Sequence, residues 1–248
     1  MEELKQQIIS PVDSAKTQSS RVVFLDALRG FTVVLMIIFH FSFDLNFFKI
    51  VEFDILKHPF WYLFPRIIVF LFLFCTGWAL AIAHQSQIKW KPFLKRLVLI
   101  GSWALVISGT TYWLFPDNWI YFGTLHAIFV ISLMSMPFLK RPNICLALAL
   151  FLFIPSIFFD LNLPWLHLEH HSWDYISPFP WVGASFLGIW ASTKLARIPW
   201  NQSDKMQSNI VKSLNYLGHH SLIIYLLHQP ILFALFNLYL KLNPLRPQ

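Results

Sequence analysis

Seven runs of mostly apolar residues, each 17 to 26 long, follow one another along this 248-residue chain with short polar breaks between them. They lie near residues 24–46, 62–84, 94–115, 119–139, 143–159, 179–196 and 215–240. A helix rising about 1.5 Å per residue crosses a hydrocarbon layer of about 30 Å in about 20 residues. The runs therefore restrict the chain to an all-α, polytopic membrane helix bundle with about seven transmembrane helices. The fifth and sixth are the shortest and are flanked by proline. Only 12% of the residues are charged, against about a quarter in soluble domains, so one water-soluble globule is excluded.

Lys and Arg set the orientation. With the N-terminus inside, the inner segments hold fourteen of the nineteen and the outer side five, which favours N-in, C-out. The formal charge of +7 is spread over short clusters such as KWKPFLKR (89–96), LKR (139–141) and KLAR (194–197). No contiguous basic surface follows, so nucleic acid is not an expected partner. Residues 1–20 are polar and of mixed charge, and read as a flexible cytoplasmic tail ahead of a single membrane domain over 21–242. Cys75 and Cys145 both fall inside apolar runs and imply neither a disulfide framework nor a thiolate metal site.

The first run, FLDALRGFTVVLMIIFHFSFDL, carries Asp26, Arg29, His40 and Asp44. At roughly 100° per residue these four share an arc about 60° wide. Arg29 and His40 are eleven residues apart, about 16 Å along the axis. Ionisable groups at such depths face a bundle interior, a partner or water. Two readings are open: an interfacial Asp26–Arg29 ion pair with a carbonyl-bonded His40, or a polar cavity lined by all four.

Other runs supply candidate partners. LGHHSLIIYLLHQPIL (217–232) places Ser221, Tyr225 and His228 within roughly 40° of one another. His228, about 16 Å from the inner end of that run, comes close to the depth of His40, and Pro230 weakens the helix just beyond it. Arg66 lies near the outer end of the second run and His126 about two turns into the fourth. Alternatively, Arg66 snorkels to headgroups and His126 serves a helix–helix contact. HLEHH (167–171) has no clear fourth ligand and no helical phase that aligns its histidines, so no metal is expected. Phosphate-loop, zinc-protease and nucleophile-elbow motifs are absent.

Taken in order, LDALRGFTVVLMIIFH, FLFLFCTGWALA, YFGTLHAIFVISL, PFPWVGASFLGI and LGHHSLIIYLLHQPIL resemble the bacterial relatives of heparan-α-glucosaminide N-acetyltransferase, from about Arg21 to about Tyr239. Arg29 and His40, with ten residues between, and SLIIYLLHQP also resemble signatures of transmembrane sugar O-acyltransferases. The resemblance implies an enzyme that moves an acyl group, most simply acetyl, from cytosolic acetyl-CoA to an amine or hydroxyl of a sugar or glycan on the other side. It implies that Arg29, oriented by Asp26, holds CoA phosphates and that His40 is base or acyl carrier. The lysosomal enzyme has further spans and a luminal region that this chain lacks, and its proposed catalytic histidine lies in the loop after the first span. The nearest match here is KHPFW (57–61), so His58 competes with His40, and His228 is a third candidate. Asp44, Arg66, His126, Ser221 and Tyr225 are expected to line the cavity.

The expected setting is the inner (cytoplasmic) membrane of a bacterium. The expected partners are acyl-CoA, the glycan acceptor and the bilayer, with a homodimer left open. The alternatives are a proton-coupled small-molecule transporter with a histidine-lined cavity, and a scaffold that binds lipid or glycan without turnover.

Overall fold

Backbone amides and carbonyls in a nearly uniform apolar run have no outside partner in lipid, and a helix pairs them internally. The computed structural model accordingly contains eight α-helices and no strand among the residues it describes, 11–51, 58–194 and 208–243. They are α1 (Pro11–Phe47), α2 (Pro59–Ala83), α3 (Trp90–Leu114), α4 (Thr124–Ser135), α5 (Pro142–Phe159), α6 (Pro178–Lys194), α7 (Asn209–His219) and α8 (Ser221–Leu242). Residues 1–10 of the expected tail lie outside the described residues, as do Lys57, Arg197, Lys205 and Arg246 of the charge assignment.

Five helices are long and apolar enough to cross a membrane: Val23–Phe47 of α1, then α2, α3, α5 and α8. The fourth run begins as a helix only at Thr124, because Phe122 is held in an isolated parallel bridge to Tyr175. With the 3-10 turn Met136–Phe138, it makes a short apolar helix over Thr124–Phe138. The sixth run yields α6, interrupted near its start by the non-helical Phe179 (φ −106°, ψ 131°).

The seventh run needs correction. Its first residues belong to α7, and the chain breaks at His220 (φ −97°, ψ 14°) before α8 begins. The spanning helix is therefore shorter than 215–240, and His228 sits seven residues into it, about 10 Å from its start. α8 continues through Pro230, despite the lost amide donor.

The chain divides into two compact units, and the division falls within α2, between Pro65 and Arg66. In the first, α1 meets α7 at two glycines. A Cβ on Gly30 would collide with the Leu214 carbonyl, and one on Gly218 with the Asp26 carbonyl. Such small residues let helix backbones approach closely in lipid. Phe41 packs on Phe236 (centroids 5.4 Å apart) and Phe47 on Phe233 (5.6 Å), joining α1 to α8.

The second unit, residues 66–195, contains the rest of α2 and α3 to α6. Its core includes Leu73, Trp78, Ile131 and Ile189, all essentially inaccessible. On α3 only Phe93, Leu97, Ile100 and Ala104 are buried, a single stripe at helical spacing. Val98, Leu105 and Trp113 are exposed, as suits a helix solvated by lipid. Gly77 and Gly188 bring α2 and α6 together, and a buried Ser135–Ser185 hydrogen bond (2.9 Å) ties α4 to α6.

Charge in this unit is unevenly divided between its ends, with Arg66 the one Lys or Arg among its described residues away from the basic end. Lys89, Lys91, Lys95, Arg96, Lys140, Arg141 and Lys194 all belong to the end carrying the α2–α3 and α4–α5 turns, where Lys140 Nζ donates to the Ser86 carbonyl (2.8 Å). Asp117, Asp160, Glu169 and Asp174 lie in the connectors at the opposite end.

His84 stitches the basic end. It is 4% exposed, and its Nδ1 accepts the Lys89 amide (3.1 Å). Burial, reinforced by the charges of Lys89 and Arg96, holds its pKa below the ordinary 6.5. The fold thus favours the neutral ring. Its contribution to stability is complete above pH 6.5 and is lost as pH falls from there through the depressed folded pKa. Detergent-solubilised protein should melt at lower temperature on acidification below pH 6.5. His84→Asn, which keeps an acceptor that does not titrate, should flatten that slope; an unchanged slope would exclude His84 as its source.

Candidate polar site on the first and last spans

The site starts on α1, where residues three, four and seven apart share a face. Asp26 Oδ1 accepts from Arg29 Nη1 at 3.0 Å, the three-residue ion pair expected from spacing alone, and both side chains are partly buried. Three turns further along the same face, the His40 ring lies 4.8 Å, centroid to centroid, from that of His228 on α8. One turn beyond, Asp44 is fully buried and its Oδ1 accepts from Gln229 Nε2 at 2.9 Å. The His40–Asp44 part of the stripe therefore faces the last spanning helix rather than pointing outward.

The His228 ring is fixed by its own helix. Its Nδ1 lies 2.6 Å from the Tyr225 carbonyl. A carbonyl only accepts, so Nδ1 carries the proton, and the Nε2 of the neutral ring presents a lone pair. The Tyr225 ring is 5.8 Å from that of His228, whereas Ser221 opens α8 about 10 Å away. Pro230 brings no amide to the Leu226 carbonyl one turn earlier, which loosens the backbone beside the site. Gln229 was not anticipated; it is adjacent to His228 in the motif LLHQP, and only its pairing with Asp44 reveals it.

His58 is exposed at the start of α2, where its Nδ1 accepts the Phe60 amide (3.3 Å), so it caps a helix. Arg66 is exposed and His126 belongs to the second unit. His126 Nδ1 accepts the Gly123 amide (3.1 Å), and its Nε2 reaches Ser108 Oγ (3.1 Å), which donates to the Ile120 carbonyl (2.7 Å). Both ring nitrogens are thus engaged, and His126 pins α3 and the following connector to α4.

The α5–α6 connector is also built in. The Asp174 carboxylate accepts from the Thr124 amide (2.8 Å) and hydroxyl (3.1 Å), closing the start of α4. Burial raises its carboxyl above the ordinary carboxylate range, against the pull of those two hydrogen bonds. His170 stacks on Trp119 (5.4 Å), and His167 Nδ1 meets the Tyr121 hydroxyl (3.4 Å). Two of the three histidines of HLEHH, His167 and His170, are thus held by aromatic side chains.

Comparison with known protein families matches residues 21–230 to the family described as heparan-alpha-glucosaminide N-acetyltransferase, catalytic. Comparison with curated proteins and with solved structures returned no match. The matched region covers most of the chain, begins just before the Asp26–Arg29 pair and ends just after His228 and Gln229. With five helices suited to crossing a bilayer, the chain is an integral membrane protein that belongs to the heparan-alpha-glucosaminide N-acetyltransferase catalytic family, a family of membrane acyltransferases.

Proposed function

We propose that this protein transfers an acetyl group from cytosolic acetyl-CoA, across the membrane, to an amine or hydroxyl of a sugar or glycan acceptor on the extracytoplasmic side. The single observation that carries this reading is the imidazole pair His40–His228, set three turns along one face of α1 from the Asp26–Arg29 pair. One end of that face offers a guanidinium to phosphates and the other an imidazole to a thioester. About 16 Å separates them, a distance that the extended pantetheine arm of CoA suits.

Arg29 suits phosphates because its guanidinium is planar, permanently charged and carries five N–H donors, while the contact with Asp26 engages Nη1. His40 takes the proton from the attacking nitrogen or oxygen as that atom bonds to the acetyl carbonyl carbon. The carbon–sulfur bond then breaks, and the proton passes to the departing thiolate to give CoA thiol. In a two-step variant the imidazole accepts the acetyl group first and delivers it second.

The topology in this reading is seven spans, N-in and C-out, in a bacterial inner membrane, with α4 and α6 as the two short spans. The all-basic end of the second unit supports placing that end toward the cytosol.

The test is binding of labelled acetyl-CoA to the purified full chain. Arg29→Ala should weaken binding about tenfold or more, the range for losing a charge-assisted hydrogen bond. No binding by the wild type, or solute flux in liposomes without CoA, would replace the acyltransferase reading with a transporter.

A further inference from the structure

We infer that Asp44, Gln229 and His228 form a donor-reading subsite for the acceptor's nucleophilic group, with Gln229 as its specificity-determining residue. The inference rests on the acyltransferase reading and assigns the second substrate a place in it.

The starting point is a set of hydrogen-bonding atoms without partners. Asp44 Oδ2, Gln229 Oε1 and His228 Nε2 are all buried and have no hydrogen-bond partner among the described residues. They come from two consecutive residues of α8 and from the α1 residue bonded to one of them. Each is an acceptor. The Gln229 amide nitrogen is committed to Asp44 Oδ1, which leaves its oxygen facing away unsatisfied. The Tyr225 carbonyl fixes the His228 proton on Nδ1, so Nε2 has only a lone pair to offer.

A buried acceptor left unpaired costs about 1–3 kcal/mol, and native interiors hold few of them. Three acceptors in one cluster therefore call for a ligand that brings several N–H or O–H donors. Neighbouring sugar hydroxyls and the neutral amine of an amino sugar share that chemistry. A lipid tail or a group with acceptors alone does not. A nucleophile held there lies beside the imidazole pair, one turn of α1 from His40.

The pairing also explains why the carboxylate and the amide occur together. Gln229 neutral and Asp44 acidic form one interhelical hydrogen bond while each keeps one oxygen for the ligand. Replacing Gln229 by methionine removes the amide oxygen at nearly constant volume. Replacing Asp44 by asparagine keeps the shape and removes the charge.

The test uses full-length protein in detergent or nanodiscs, with glucosamine and glucose as acceptors and labelled acetyl-CoA as donor. Gln229→Met and Asp44→Asn should each raise the acceptor KM about tenfold or more, with acetyl-CoA binding and kcat at saturating acceptor within about twofold of wild type. A purely structural role would weaken acetyl-CoA binding and lower kcat together, and that outcome overturns the subsite. Preference for glucosamine assigns the donors to its amine and preference for glucose assigns them to hydroxyls; both support the inference. Wild type that binds acetyl-CoA but is neither stabilised against heat by these sugars nor able to acetylate them overturns the subsite and leaves the acyltransferase reading standing. Wild type that binds no acetyl-CoA overturns both.

Discussion

Alanine at position 40 should lower acetyl transfer by about a hundredfold to ten-thousandfold, the span typical of removing a positioned general base. The expected loss is chemical rather than structural. His40 is only partly buried, and its ring contacts are with Phe39 (5.3 Å) and His228 (4.8 Å), so truncation removes little packing. Turnover of labelled acetyl-CoA, compared with the amount of monodisperse protein recovered, separates the two. The same assay without acceptor distinguishes the direct and two-step routes. Label retained on wild type but lost in His40→Ala would indicate an acetyl-imidazole, and absence of retained label in both would indicate direct attack. Full activity in the variant would remove His40 from the chemistry and direct attention to His58.

The second large effect is expected at Gly218. Valine there places a Cβ on the Asp26 backbone carbonyl, and neither helix backbone yields as a flexible side chain would. α7 must separate from α1, which also disturbs the turn holding Asp26 and Arg29. Overpacking in a well-filled contact costs about 1–3 kcal/mol and sometimes more, so Gly218→Val should lose most of its folded yield or melt several degrees lower. Gly30→Ala meets the Leu214 carbonyl from the other side and should behave alike, with a less than additive double variant because the two share one contact. Gly109 on α3 is the control: a Cβ there meets nothing within 4 Å, and alanine should be neutral or slightly stabilising. Thermal melting followed by size-exclusion chromatography in one detergent reads all four. A stable Gly218→Val protein would show that α1 and α7 do not pack as described.

Much of the architecture was legible because lipid imposes so few solutions. Long apolar runs gave helices, and a period of 3.6 placed Asp26 beside Arg29 and put His40 and Asp44 on the same face. Counting residues for depth was enough to suggest that His228 lies level with His40. The break at His220 left no trace, since neither glycine nor proline stands at that residue and hydropathy averages over it. The late start of α4 was equally hidden, because the bridge to Tyr175 comes from a connector about fifty residues on.

Side-chain pairing between distant residues has no local signature at all. The hydrogen bond from Gln229 to Asp44 spans 185 positions, and the clamp from Thr124 to Asp174 spans 50. His126 reads in isolation as either a cavity residue or a helix–helix contact, and only the nearby Gly123 amide and Ser108 hydroxyl show both ring nitrogens engaged. The glycines of α1 and α7 stand inside the motifs that carry the family resemblance, yet their role as backbone contacts appears only once the helices are docked.

The imidazole pair and the Asp44–Gln229 bond are drawn from opposite extremities of the polypeptide. During synthesis, α1 is therefore present for almost the whole of translation without its complement. Six helices must be made before α8 arrives to close the constellation. A nascent or C-terminally shortened chain would carry Arg29, His40 and Asp44 but neither His228 nor Gln229, so the imidazole pair and the Asp44 hydrogen bond form only once α8 is in place.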